Sequence, residues 1–201
     1  MALKTFVKVS NVTNLSDARY CAGMMVDLIG FNVDPSSPER ISPDDFKEIT
    51  EWVEGVKYAG EFTSSSKDVI CEALNDYPID YIQIEDYDAI ETINLLGKPL
   101  IFKIAINTEE ELSALKGKLS YLDELVKAVI IRSDNETLFD QIDAQIGYYN
   151  GNVKLLKGFG LEGNEQLGKY PGLELEAEKE ERPGFKDYGA VMDVLEAIDE
   201  D

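Results

Sequence analysis

Short runs rich in β-branched and aromatic residues recur eight times along this 201-residue chain, and each is followed by a stretch with helical spacing. The runs are Thr5–Ser10, Leu28–Val33, Lys57–Phe62, Tyr81–Ile84, Leu100–Ile106, Ala128–Arg132, Val153–Lys157 and Leu173–Ala177. Between them apolar residues return every three or four positions, as in Phe46, Ile49 and Val53, or Val69, Ile70, Ala73 and Leu74. Strand and helix alternate throughout, which predicts an α/β chain closed into a parallel (β/α)8 TIM barrel, one domain spanning residues 1–201. An open doubly wound sheet is the competing architecture. The barrel is trimmed, with about 25 residues per unit where the fold typically uses ~250 in all. The seventh unit is the shortest, leaving only 163–170 for its helix.

Asn14 and Ser42 are predicted N-caps, Pro43 suits a first helical position, and Asp187 is expected to open a last helix carrying Val191, Val194, Leu195 and Ile198. Phe46, Trp52 and Tyr77 are expected to cover the outside of the strands. Tyr148 and Tyr149, before an Asn150–Gly151 turn, are expected to be half exposed. The run from Glu174 to Arg182 reads on charge alone as a solvated loop.

Forty acidic residues against nineteen Lys and Arg give a formal charge of −21, a field that repels nucleic acid and anionic lipid. Neither nucleic acid nor membrane is therefore an expected partner. The first residues lack the continuous apolar run of a signal peptide, and no later stretch reaches spanning length, so a cytoplasmic location is expected. Cys21 and Cys71 sit in apolar helical contexts and are read as two buried thiols rather than a disulfide or metal site. The absence of histidine removes imidazole bases, Ser/His/Asp triads and His-ligated zinc. No metal and no cofactor is expected, and any chemistry must run on carboxylates, Lys, Tyr, Ser or Cys.

Several motifs occur in one order at the spacing of one fold. VKVSNVTNLSDA, at the first strand, resembles the signature VKICGxTxxxDA of the phosphoribosylanthranilate isomerase family, and LIGFNVDPSSPERISPD resembles that family's LGFxFxxxSPRxVSPE. VKYAGEF is similar to VxxVGVF, YIQIED to VQLHGxE, and LELEAEKEERPGFKD to VDVSSGVExxPGxKD, so the resemblance covers nearly the whole chain. It implies the barrel and an ancestry in tryptophan biosynthesis. The family carries out an Amadori rearrangement of an aminoaldose phosphate, with a thiolate as base and a carboxylic acid as proton donor.

Residue by residue, the resemblance places the thiolate's position at Ser10, the adjacent glycine at Asn11, and the acid's position at Arg132 in IIRS. A serine hydroxyl without an activating base is too weakly acidic for that work, and a guanidinium does not give up a proton near neutral pH. Asp134, two residues beyond, is the nearest alternative acid. The family arginine that contacts the substrate carboxylate aligns with Glu39, one residue before Arg40, and without a loop slip these two read as an exposed ion pair. Substrate contacts are further implied for Gln83, Glu85 and Lys103. The phosphate loops are implied at Gly158 and Gly160, where Phe159 replaces a glycine in KGFGLEGN, and at Glu176, Ala177 and Glu178, where the family has small residues.

The replacements share a sign. Glu61, Glu85, Glu174, Glu176 and Glu178 surround Lys8, Lys103 and Arg132, which predicts a mouth where Arg132 pairs with two or more glutamates. Three functions are compatible with this pattern. The first is an inactive isomerase-like barrel kept for binding or regulation, with an unidentified small ligand and a protein partner or second copy as possible associates. The second is an active isomerase with altered acid and base, such as Asp134 with Cys21. The third is a different enzyme or a cation-binding site built on Glu61, Glu85 and Lys103.

Overall fold

The structure, a computed structural model, describes residues 2–63, 66–164, 166–177 and 189–199. Eight strands form where the β-rich runs lie: β1 (Phe6–Ser10), β2 (Leu28–Asn32), β3 (Lys57–Glu61), β4 (Tyr81–Ile84), β5 (Leu100–Ala105), β6 (Ala128–Arg132), β7 (Lys154–Lys157) and β8 (Gly172–Glu176). All pair in parallel with their sequence neighbours. The sheet closes through β1 and β8, in register from Phe6 opposite Gly172 to Ser10 opposite Glu176. Closure decides between the two architectures in favour of the barrel.

The helices are α1 (Leu15–Gly23), α2 (Pro43–Thr50), α3 (Lys67–Asp76), α4 (Ile90–Asn94), α5 (Glu109–Leu122), α6 (Phe139–Tyr148) and α7 (Gly189–Ala197). The caps work as the sequence predicts. Asn14 Oδ1 accepts from the Asp17 amide at 2.9 Å and Ser42 Oγ from the Asp45 amide at 3.1 Å, each satisfying a donor that the first turn leaves unpaired. Thr108 and Glu111 close a reciprocal box at the start of α5. In the seventh unit the expected helix is only a 3-10 turn, Leu167–Lys169. Asp187 lies outside the described residues. No helix among the described residues is long and apolar enough to cross a membrane.

Inward side chains alternate along each strand and form two tiers of different character. The lower tier is an apolar plug of Leu28, Ala59, Ile101, Ala128, Ile130 and Leu156, with Phe6 and Tyr81 packed on it. It is separate from the larger apolar layer between strands and helices. Two residues further along several of the same strands the inward positions become Gly30, Glu61, Lys103, Arg132 and Gly158. These occupy the C-terminal ends of the strands, the face on which barrels of this kind build their sites.

Three expectations are corrected. Phe46 and Tyr77 are buried among the outer layer, but Trp52 is 66 % exposed, under the Arg19 guanidinium at 5.6 Å. Cys21 is buried whereas Cys71 is exposed, because its position on α3 faces away from the barrel. Glu174 is fully buried in β8 rather than in a solvated loop, since its strand parity turns it inward. Residues 178–182 of the same run lie outside the described residues.

Candidate functional site

Two ion pairs are built across the upper tier, each spanning a strand whose inward residue is glycine. Lys8 on β1 meets Glu61 on β3 across Gly30 on β2. Arg132 on β6 meets Glu174 on β8 across Gly158, the residue that follows β7. A Cβ on Gly30 would lie 2.1 Å from Glu61 Oε1, and one on Gly158 would lie 2.7 Å from both Arg132 Cδ and Glu174 Oε2. Only hydrogen at those positions leaves room for the charged groups to touch.

Hydrogen bonds join the pairs into a closed ring. The Lys8 ammonium donates to Ser10 Oγ as well as to Glu61, and the Ser10 hydroxyl donates to Glu174 Oε1 at 2.5 Å. Arg132 contacts Glu174 and reaches Glu176 Oε2 at 3.1 Å. The Asn11 side-chain amide donates to Glu176, and its backbone N–H donates to Glu61 Oε2 at 3.1 Å, completing the circuit. Asn11 does this in the left-handed region at φ +56°, the conformation that a glycine there would adopt freely and that Asn tolerates better than most residues.

The two buried carboxyls differ. Burial opposes the charge on Glu61, but the Lys8 ammonium and the bonds from Lys8 and the Asn11 amide hold its carboxyl below the usual range. For Glu174 burial prevails and pushes the carboxyl up, although Arg132, Lys8 and the Ser10 bond work against it. Its contact with Arg132 is an ion pair without hydrogen-bond alignment, and the guanidinium Nε has no hydrogen-bond partner among the described residues. Of these two buried carboxyls, Glu174 is the one that takes up a proton more readily.

Two connected cavities open above the ring. One, about 610 Å³, is lined by Arg132, Glu174, Glu176, Ala177 and the apolar Leu161, Val191 and Val194. The other, about 410 Å³, is lined by Glu61, Gln83, Glu85 and Lys103, and both share Asn11, Asn32 and Glu39. Glu85 and Lys103 stand 3.5 Å apart and are 44 % and 27 % exposed, a solvated pair of small energetic value.

Several residues named from the sequence thus gather at one mouth: Ser10, Glu39, Gln83, Glu85, Lys103, Arg132, Glu176 and Ala177. Arg40 does not join them. Its Nε donates to the Tyr77 hydroxyl at 3.0 Å, and its guanidinium lies 5.4 Å above that ring, on the outer face of the strands, so the exposed Glu39–Arg40 pair is replaced by a stacked contact. Asp134 is exposed in the loop after β6 and lines neither cavity. Gly158 acts as a spacer under the Arg132 pair. Gly160 has φ +53° against the Phe139 ring, while Phe159 is buried on that same ring at 4.9 Å. The Ala177 amide donates to Ser10 O at 2.9 Å and so is committed to the sheet. Glu178 lies outside the described residues. Sequence reasoning did not find Gly30 or the bridging role of Asn11. Their signal was present only as an inward glycine between strands bearing opposite charges, and as a polar residue in a glycine position.

No family model matches the chain. It is 30 % identical over 135 residues to the N-(5'-phosphoribosyl)anthranilate isomerase of Leptospira borgpetersenii, covering 62 % of each, and 28 % identical over 102 residues to that of Maridesulfovibrio salexigens. The curated relatives of this chain are phosphoribosylanthranilate isomerases. The matched stretch spans about half the length of the second of these relatives, 49 %, and 51 % of this chain. The crystal structure of phosphoribosylanthranilate isomerase from Thermotoga maritima superposes with a TM-score of 0.75 at 19 % identity, covering 96 % of this chain and 98 % of that one. The TIM barrel is therefore shared along almost the entire chain.

Proposed function

We propose that this barrel descends from phosphoribosylanthranilate isomerase, no longer performs the rearrangement, and is kept as a cytoplasmic binding or regulatory protein. The observation that carries this reading is the clamped guanidinium of Arg132. At the position that the resemblance gives to the proton donor stands a permanent cation held by Glu174 and Glu176. At the position given to the base, the Ser10 hydroxyl already donates to Glu174 and accepts from Lys8. Proton-transfer groups are worth roughly 10²–10⁴ each in rate, so replacement of both removes most of the catalysis.

Anion binding is opposed as well. Glu174 and Glu176 share one guanidinium, which leaves one excess negative charge at the end of β8. At an effective dielectric of ~20 and a distance of roughly 8 Å, that charge costs about 2 kcal/mol against each charge of a phosphate.

The test is turnover of phosphoribosylanthranilate by the purified chain, with growth of an isomerase-deficient tryptophan auxotroph as the cellular counterpart. Neither turnover nor growth is expected. Turnover within tenfold of an active isomerase assayed alongside refutes the reading. The Thermotoga maritima isomerase is described as dimeric, so a homodimer is the first assembly to test by light scattering.

A further inference from the structure

We propose that Asn150 is a self-modification site: it converts in water to aspartate and isoaspartate, and the conversion loosens the join between α6 and β7.

The turn that makes this join is built on one carboxylate. Asp123, just after α5, accepts from the Tyr149 hydroxyl, from the Asn152 side chain at 3.0 Å, and from the backbone amides of Asn152 and Val153 at 2.6 and 3.0 Å. A Cβ at residue 151 would collide with both Asp123 Oδ1 and the Tyr149 hydroxyl, so the clamp requires glycine there. Asparagine is a labile residue in water, and most so where the next amide has no side chain to shield it. Of the ten asparagines in the chain, Asn150 alone precedes a glycine. The clamp thus creates the vulnerable pair.

The surroundings favour attack by the Gly151 nitrogen on the Asn150 carboxamide. Both residues are exposed, lie outside any helix or strand, and line an open cavity of about 760 Å³ between α5 and α6, so water reaches them. Among the described residues the Gly151 N–H donates no hydrogen bond and the Asn150 carboxamide makes none, which leaves both reacting groups free. Asn75 is the contrast. It lies within α3, and its carboxamide donates to Glu72 O at 3.1 Å.

The conversion balances with water alone. The Gly151 nitrogen gives up its proton and bonds to Asn150 Cγ, the Cγ–Nδ2 bond breaks, and ammonia leaves with that proton. Water then opens the cyclic imide at either carbonyl, giving aspartate or, with the main chain rerouted through Cγ, isoaspartate. Each product places a carboxylate beside the glycine that lies against Asp123, and like charges repel. Isoaspartate also lengthens the main chain by one carbon between Tyr149 and Asn152, both of which Asp123 holds in place. Bonds of the clamp are lost in either case.

The test follows the folded full chain in mildly alkaline buffer by peptide mapping, with amide hydrogen exchange as the second readout. Conversion is expected at Asn150 before any other asparagine, with both acid isomers present and one heavy oxygen taken up from labelled water. Gly151→Ala should slow it by about tenfold or more, because the methyl screens the attacking nitrogen. Asn150→Gln, whose attack would close a larger ring, should keep its amide over the same period. The converted chain should lose exchange protection at the Asn152 and Val153 amides, while Asn150→Gln incubated alongside keeps it. Circular dichroism checks that each variant folds. Earlier conversion at another asparagine, an undiminished rate in Gly151→Ala, or full protection of those two amides in the converted chain overturns the proposal.

Discussion

Replacing Gly30 by alanine puts the charged ring under direct strain. The added methyl would lie 2.1 Å from Glu61 Oε1 and 2.7 Å from Lys8 Nζ. Non-bonded heavy atoms settle at about 3.5 Å, so the carboxylate must retreat by roughly 1.4 Å. Retreat toward the cavity that it lines takes the carboxylate away from Lys8, which is fully enclosed. Overpacking alone costs about 1–3 kcal/mol, whereas separating a buried pair costs about 3–5 kcal/mol. We expect the larger range, measured as the loss of unfolding free energy in urea. Gly117→Ala is the control, because Gly117 sits within α5 with no atom near its would-be Cβ, and it should stabilise by about 1 kcal/mol. A third arm places Gly30→Ala in a chain carrying Lys8→Leu and Glu61→Ala, which removes the three atoms nearest to the methyl. There the cost should fall below about 1 kcal/mol. If Gly30→Ala costs the same in both backgrounds, or less than about 1 kcal/mol in the native one, the ring is not what requires glycine.

Two further outcomes follow from the same geometry. Burial raises the Glu174 carboxyl, so the folded state holds its proton more tightly than the unfolded state, and stability is lost as pH rises from the usual carboxylate value through the folded one. Glu174→Gln should therefore be more stable than the parent at pH 8, with the gap narrowing toward pH 5 in thermal melts; a gap that widens on acidification contradicts the raised carboxyl. Cys71 should react with a thiol reagent in the native protein, while Cys21 should react only on unfolding, as mass spectrometry of the labelled peptides would reveal.

The eight strands and the caps were legible because they depend on local composition. β-Branched runs build strands wherever both faces are covered, and Asn14 and Ser42 act on amides three residues away. Alternation along the strands also identified which glutamates turn inward. It did not say which cation each would meet. Lys8 and Glu61 are 53 residues apart, and their meeting depends on the stagger of a closed sheet and on the bare position between them. The outward turn of Arg40 was hidden for a related reason. Its destination, the Tyr77 ring, comes from the end of α3, and no spacing within the β2 loop encodes it. Cys71 was misjudged because α3 carries apolar residues on more than one face, so periodicity left its orientation open.

The bend at Asn11 has an evolutionary reading. Most L-residues pay about 1–2 kcal/mol to sit at a positive φ, and here both the amide and the carboxamide are also engaged. Drift at that codon is thereby narrowed to asparagine, with aspartate and glycine as its near neighbours. An asparagine directly after the serine that ends the first strand, facing glutamates at the end of the eighth, is thus where the geometry of the mouth is written into the sequence.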